Sequence, residues 1–135
     1  MRATSRSLFG STEILLVDGV GALLTALSVG LVLPAFAPFI GLPVASLRLL
    51  GVVALGFAAF SLGRHFTRTA TAGSLRLIAV ANLSYCAVTS ALLIVYAHTV
   101  TPLGAAYFVG EIVIVVALSA RELGVARRVD ATRSR

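Results

Sequence analysis

The chain of 135 residues has no Lys, no Gln, no Trp, one Asn (Asn82) and one Cys (Cys86). A single Cys forms no internal disulfide and supplies no CxxC pair, so vitamin-K-epoxide-reductase-like and disulfide-oxidase chemistry lack their thiols. Cys86 reads as a small apolar filler. Charge is scarce too: 12% of residues are charged, against roughly 25% in a soluble domain. Gly-rich phosphate loops, zinc-ligand spacings and Ser-His-Asp sets are missing. The sequence therefore asks for no cofactor and no metal, and an enzyme is the less favoured class.

Apolar residues fill the gap. They make up 59% of the chain, and mean hydropathy is +1.02. A water-soluble fold of this size has too little interior to hide that much apolar surface, and a disordered tail would not carry it. Four blocks approach the roughly 20 apolar residues that a membrane-crossing helix needs. The sequence predicts an all-α membrane protein, a four-transmembrane-helix bundle forming one integral domain over 1–135. Its helices are expected over about 12–33, 45–63, 75–97 and 103–121, with a cytoplasmic tail over 122–135. Pro34, Pro38, Gly41 and Pro43 punctuate the first connection. An Arg/Thr-rich turn from Gly63 to Gly73 forms the second. His98 to Pro102 forms the third, with Pro102 suited to a first helical turn.

The net charge of +6 comes from 11 Arg against five acids. Ten of the Arg lie on one side of the predicted membrane: Arg2, Arg6, Arg64, Arg68, Arg76, Arg121, Arg127, Arg128, Arg133 and Arg135. Only Arg48 lies on the other. By the positive-inside rule both termini are cytoplasmic, an N-in/C-in topology, and the charge labels orientation rather than a nucleic-acid surface. Tyr96 and Tyr107 fall near the outer interface. His65 and His98 lie on opposite sides and cannot share a haem. Arg2 and Arg6 before an apolar run, with Ala35-Phe36-Ala37 beyond it, imitate a signal peptide. The run is too long for one, contains Asp18 and meets Pro38, so cleavage is not expected. The match between Ser46-Leu47-Arg48-Leu49 and Ser74-Leu75-Arg76-Leu77 is too short to define a repeat. The Lys-free, Arg/Ala/Val-rich composition suits a GC-rich bacterium and its cytoplasmic (inner) membrane, where the chain would be multi-pass.

Ionisable residues within lipid are costly, and each is a functional candidate. At 1.5 Å per residue, Asp18 and Asn82 lie about 9 Å from the cytoplasmic ends of their helices, and Glu111 about 12 Å from the outer end of the fourth. Helical spacing puts Asn82, Tyr85, Cys86, Thr89 and Tyr96 on one stripe. The same spacing groups Ser11, Asp18, Gly21, Ala22, Thr25 and Ser28 on the first helix, and Gly104, Tyr107, Phe108, Glu111 and Val115 on the fourth. Turned inward, these faces would enclose Asp18, Asn82, Tyr85 and Glu111 as a proton, ion or substrate site. The second helix offers only Ser61 between Leu49 and Leu62. Structural roles compete with these. Asp18 would bond Asn82, and Arg48 would pair with Glu111. Glu13 would sit at the start of the first helix, and Glu122 would form a solvated pair with Arg121.

In helix count and size the chain resembles small multidrug-resistance transporters and double-barrelled fluoride channels. It lacks the central Trp of the former and the Gly/Arg-rich opening and Phe pair of the latter, so no residue role carries over. The leading expectation is a small proton- or cation-coupled transporter or channel, with membrane lipids and further copies of itself as partners and a small ion or solute as cargo. A non-transporting accessory subunit is the alternative. An enzyme acting on lipid or quinone through Tyr85 and Glu111 ranks last. The orientation has a direct test. Fluorescent-protein fusions at either terminus should fluoresce, and alkaline phosphatase fused after residue 99 of a chain truncated there should be active; the opposite pattern would invert the topology.

Overall fold

The computed structural model describes the backbone of residues 2–134 and the side chains of residue 10 and residues 12–134. Arg135 and the side chains of Arg2, Arg6 and Ser11, used above for topology and for one polar face, lie outside the described residues. The described chain is helical apart from short connections: α1 (Arg2–Leu27), a π-helical turn (Ser28–Val32), α2 (Leu33–Ala35), α3 (Ala37–Ile40), α4 (Val44–Phe66), α5 (Ala72–Val95) and α6 (Pro102–Arg133). Four stretches are long and apolar enough to cross a membrane: Thr12–Ala35, Val44–Phe66, Ala72–Val95 and Pro102–Arg133.

Both outer helices are longer than their apolar blocks. The α1 helix starts at Arg2, so Glu13 is an exposed residue inside a helix and not a charge at its beginning. The α6 helix runs to Arg133 through the segment expected to be a tail. Arg, Ala, Leu and Glu there are good helix formers. Ala126 is fully buried, and Val125 and Val129 pack on a cluster around Leu15, Leu75 and Ile78. Apolar run length misses such an extension, because one packed stripe suffices to hold a helix.

The π turn precedes Pro34, which has no N–H to give to the carbonyl four residues back. The ladder loosens by one residue, and the Leu33 N–H bonds the Ser28 carbonyl instead. This turn lies where α1 crosses α4. A Cβ on Gly30 would sit 3.2 Å from the Gly51 Cα, and one on Gly51 would press into the Gly30 backbone. Small residues permit such close approach between helices in lipid, where packing replaces the hydrophobic drive.

The α1 helix packs chiefly on α4, and α5 on α6; the two pairs join through α1–α6 and α4–α5 contacts, closing a four-helix ring. Gly41, at φ 84°, ends α3 in the left-handed conformation. Beside it, the α5–α6 connection is bonded to the end of α3. Thr101 N–H donates to the Ile40 carbonyl at 3.1 Å. The Thr99 hydroxyl donates to the Gly41 carbonyl at 2.9 Å, and the Thr101 hydroxyl to the Phe39 carbonyl at 2.5 Å. At the opposite end a Thr71/Ser74 capping box starts α5, and the His65 Nδ1–H donates to the Thr12 carbonyl at 2.7 Å.

The apolar core is divided. One cluster, with Val29, Leu33, Leu47, Leu50 and Phe108, fills the end near the α3 latch. The other, with Leu15, Leu75, Ile78 and Ala126, fills the opposite end. Outside, residues such as Leu31, Leu49, Val52, Ile94 and Ile114 are 64–76% exposed, a surface compatible with hydrocarbon and not with water. The glycine contact can be tested. Gly51→Leu should destabilise the bundle by about 1–3 kcal/mol through overpacking. Gly56→Ala, with open space around it, should stay within about 0.5 kcal/mol of wild type. Thermal unfolding in micelles reads both.

Candidate functional site: a buried carboxylate layer

Between the two apolar clusters lies a layer of buried polar side chains. Asp18 on α1 is 2% exposed. Its Oδ1 accepts from Asn82 Nδ2 of α5 at 2.7 Å, and its Oδ2 accepts from Ser61 Oγ of α4 at 2.5 Å. Helical spacing puts each donor on its helix's inner face. Leu47, Gly51, Ala54, Ala58 and Ser61 are the buried stripe of α4, and Leu75, Ala79, Asn82, Cys86 and Thr89 that of α5. Gly19 lets α4 close in, since a Cβ there would strike the Leu62 side chain at 2.7 Å.

Glu122 on α6 is 0% exposed. Its carboxyl faces Asp18 and Asn82, yet neither oxygen has a hydrogen-bond partner among the described residues. The expectation of a solvated Glu122–Arg121 pair is therefore overturned. Consecutive residues are about 100° apart around a helix, so Arg121 points out while Glu122 points in. A signal was present: Glu111 and Glu122 are eleven residues apart, close to three turns, and so share a face.

Glu111 lies about 16 Å from Glu122 along α6. It is half-buried, flanked by Thr25 and Tyr85. The Tyr85 hydroxyl donates to its Oε1 at a long 3.4 Å, and Oε2 is buried without a partner among the described residues. The expected Arg48–Glu111 ion pair is not formed. Arg48 is exposed between buried Leu47 and Leu50, on an α4 helix that packs against α1 and α5 rather than α6. Among the described residues the one ion pair joins Arg76 and Asp130 at the surface, and such exposed pairs contribute little.

A cavity of about 440 Å³ connects Asp18 with Glu111, without Glu122 or Ser61 among its lining residues. Asp18, Asn82, Tyr85 and Glu111 all line it, together with Gly21, Ala22, Thr25, Ser28, Phe57 and Tyr107. No Arg or His is among its lining residues. Exposed Leu24 of α1 and Ile114 of α6 form its rim, so it opens sideways between those two helices. The arrangement can bind positive charge through oxygen ligands: carboxylates, hydroxyls and an amide, with no thiol and no imidazole. Among the described residues no group of three His, Cys, Asp or Glu suits a metal ion.

Sequence spacing brings out Asp18, Asn82, Tyr85 and Glu111. It misses Glu122, because the apolar block ends at Ala120, and it undervalues Ser61, because a lone Ser is a weak signal. Comparison with protein-family models, curated proteins and solved structures found no match for this chain.

The hydrogen bonds to Asp18 can be measured. Ser61→Ala and Asn82→Ala should each cost about 1–2 kcal/mol, in line with interhelical hydrogen bonds in lipid. In an Asp18→Ala background both costs should shrink. Undiminished costs in that background would mean that the donors act elsewhere.

Proposed function

We propose that this chain is a small multi-pass membrane protein, with both termini cytoplasmic, that moves protons or small cations through its intramembrane carboxylates. Asp18 and Glu111 carry the charge, and Asn82 and Tyr85 supply hydrogen bonds beside them. The observation that carries this reading is the single cavity lined by all four residues and by no basic side chain. A structural ion pair would neutralise a buried carboxylate locally. A carboxylate kept free of Arg in low dielectric attracts a mobile positive charge instead. The composition supports a bacterial cytoplasmic membrane, and the sideways rim between α1 and α6 supports assembly with further copies of the chain.

One observation favours a second reading, a non-transporting subunit. Asp18 is bonded to two neighbouring helices at once, which is what helix glue does. A flux assay separates the two. In liposomes carrying an imposed proton or sodium gradient, wild type should dissipate the gradient faster than protein-free vesicles. Asp18→Asn and Glu111→Gln should each slow it about tenfold or more, which corresponds to about 1.4 kcal/mol, while Arg48→Leu should leave it unchanged. Flux no faster than that of empty vesicles would leave the subunit reading standing, and flux undiminished in both carboxylate variants would remove Asp18 and Glu111 from the path.

A further inference from the structure

We propose that Asp18 and Glu122, with the Ser61 hydroxyl and the Asn82 amide, form a binding site for one small positive charge, a proton or a sodium ion, distinct from Glu111. Four helices contribute one residue each. Asp18 and Glu122 are 2% and 0% exposed, and Glu122 faces Asp18 with both oxygens unpartnered among the described residues. A buried acceptor pair with nothing to accept from is strongly unfavourable, and two facing carboxylates with no counter-charge are more so.

The basic groups described at this end of the bundle are engaged elsewhere or turned away. On α4, Arg64 lies over the Phe60 ring and reaches the Thr69 carbonyl, and His65 holds the Thr12 carbonyl. On α5, Arg76 pairs with Asp130. On α6, Arg121 is exposed. From α1 the group facing Glu122 is Asp18 itself. Among the described residues none supplies the positive charge, and solution is left as its source.

The donor set narrows what it can be. Every ligand atom on offer is oxygen: the carboxyls and the Ser61 hydroxyl, with the Asn82 Nδ2 holding Asp18 in place as a donor. Oxygen-only sets suit hard cations. Two carboxyls balance one monovalent charge to a net of −1, while the Ser61 hydroxyl adds a neutral ligand. A proton meets the same need by bridging the carboxyls, donated from one to the other. Both occupants supply a positive charge between Asp18 and Glu122.

The site shares Asp18 with the transport reading and rests on it for a purpose. Its test is occupancy and not flux, so either can fail alone. Protein carrying Glu111→Gln, to remove that carboxyl's signal, is reconstituted in nanodiscs and followed by infrared difference spectroscopy. With choline as the cation, a protonated-carboxyl C=O band should be present near neutral pH. It should disappear in Glu122→Gln and shift or disappear in Asp18→Asn. If sodium is the occupant, NaCl but not choline chloride should remove the band, and radioactive sodium should bind at one per chain, about tenfold more weakly in Glu122→Gln. Glu122→Gln keeps shape and hydrogen-bonding capacity, and circular dichroism and elution volume report its fold. Should it fail to fold, Ser61→Ala, which withdraws one neutral ligand, should still weaken sodium binding or shift the band. The proposal is overturned if the protein shows neither a carboxyl band sensitive to Asp18 or Glu122 nor saturable sodium binding.

Discussion

The bundle is organised around one constraint, the Asp18 carboxylate in a place where water cannot solvate it. A bare carboxylate in a low-dielectric interior costs tens of kcal/mol, so it survives only with donors at hand. Ser61 and Asn82 supply them from two different helices. Three helices thereby become dependent on one side chain for their relative rotation and depth. A rotation of α4 by one residue would replace Ser61 with Leu62 or Phe60, and one of α5 would replace Asn82 with Ala81 or Leu83.

The other packing features serve that arrangement. Gly19, Gly30 and Gly51 let α1 and α4 lie close enough for a short Ser side chain to reach across. The π turn before Pro34 spans Gly30, which makes the contact with Gly51. The two apolar clusters act as plugs on either side of the polar layer. They keep its hydrogen bonds dry, which strengthens them and raises the cost of any group left unpaired.

Much of this was legible in the residues. Apolar run length located four helices, since a run of some 20 such residues has few other uses. Helical spacing placed Asp18, Asn82, Tyr85 and Glu111 toward a common space, because polar residues in lipid avoid the outer surface. Glu122 was not legible from the same logic. It stands beside Arg121 in a stretch that composition alone assigns to water, and what buries it is a helix continuing past the apolar block. Arg48 misled for the opposite reason. Its side chain is long enough to span the difference in depth to Glu111, but its helix faces another partner, and reach says nothing about which neighbour a helix chooses. Ser61 needed a tertiary contact to acquire meaning at all.

The latch between α3 and the α5–α6 connection carries a consequence for how this chain can change over time. Connections are usually where a protein accepts insertions and deletions. Here Thr99 and Thr101 grip three successive carbonyls, at Phe39, Ile40 and Gly41, and Gly104 lies so close to the Ile40 carbonyl that a Cβ would collide with it. One residue gained or lost between Tyr96 and Pro102 would slip every bond in that grip. Tolerance to length variation is thus displaced to the opposite end of the bundle, where Thr67, Arg68 and Thr69 are exposed and bond within their own turn. A variant or tag inserted there meets no such gauge.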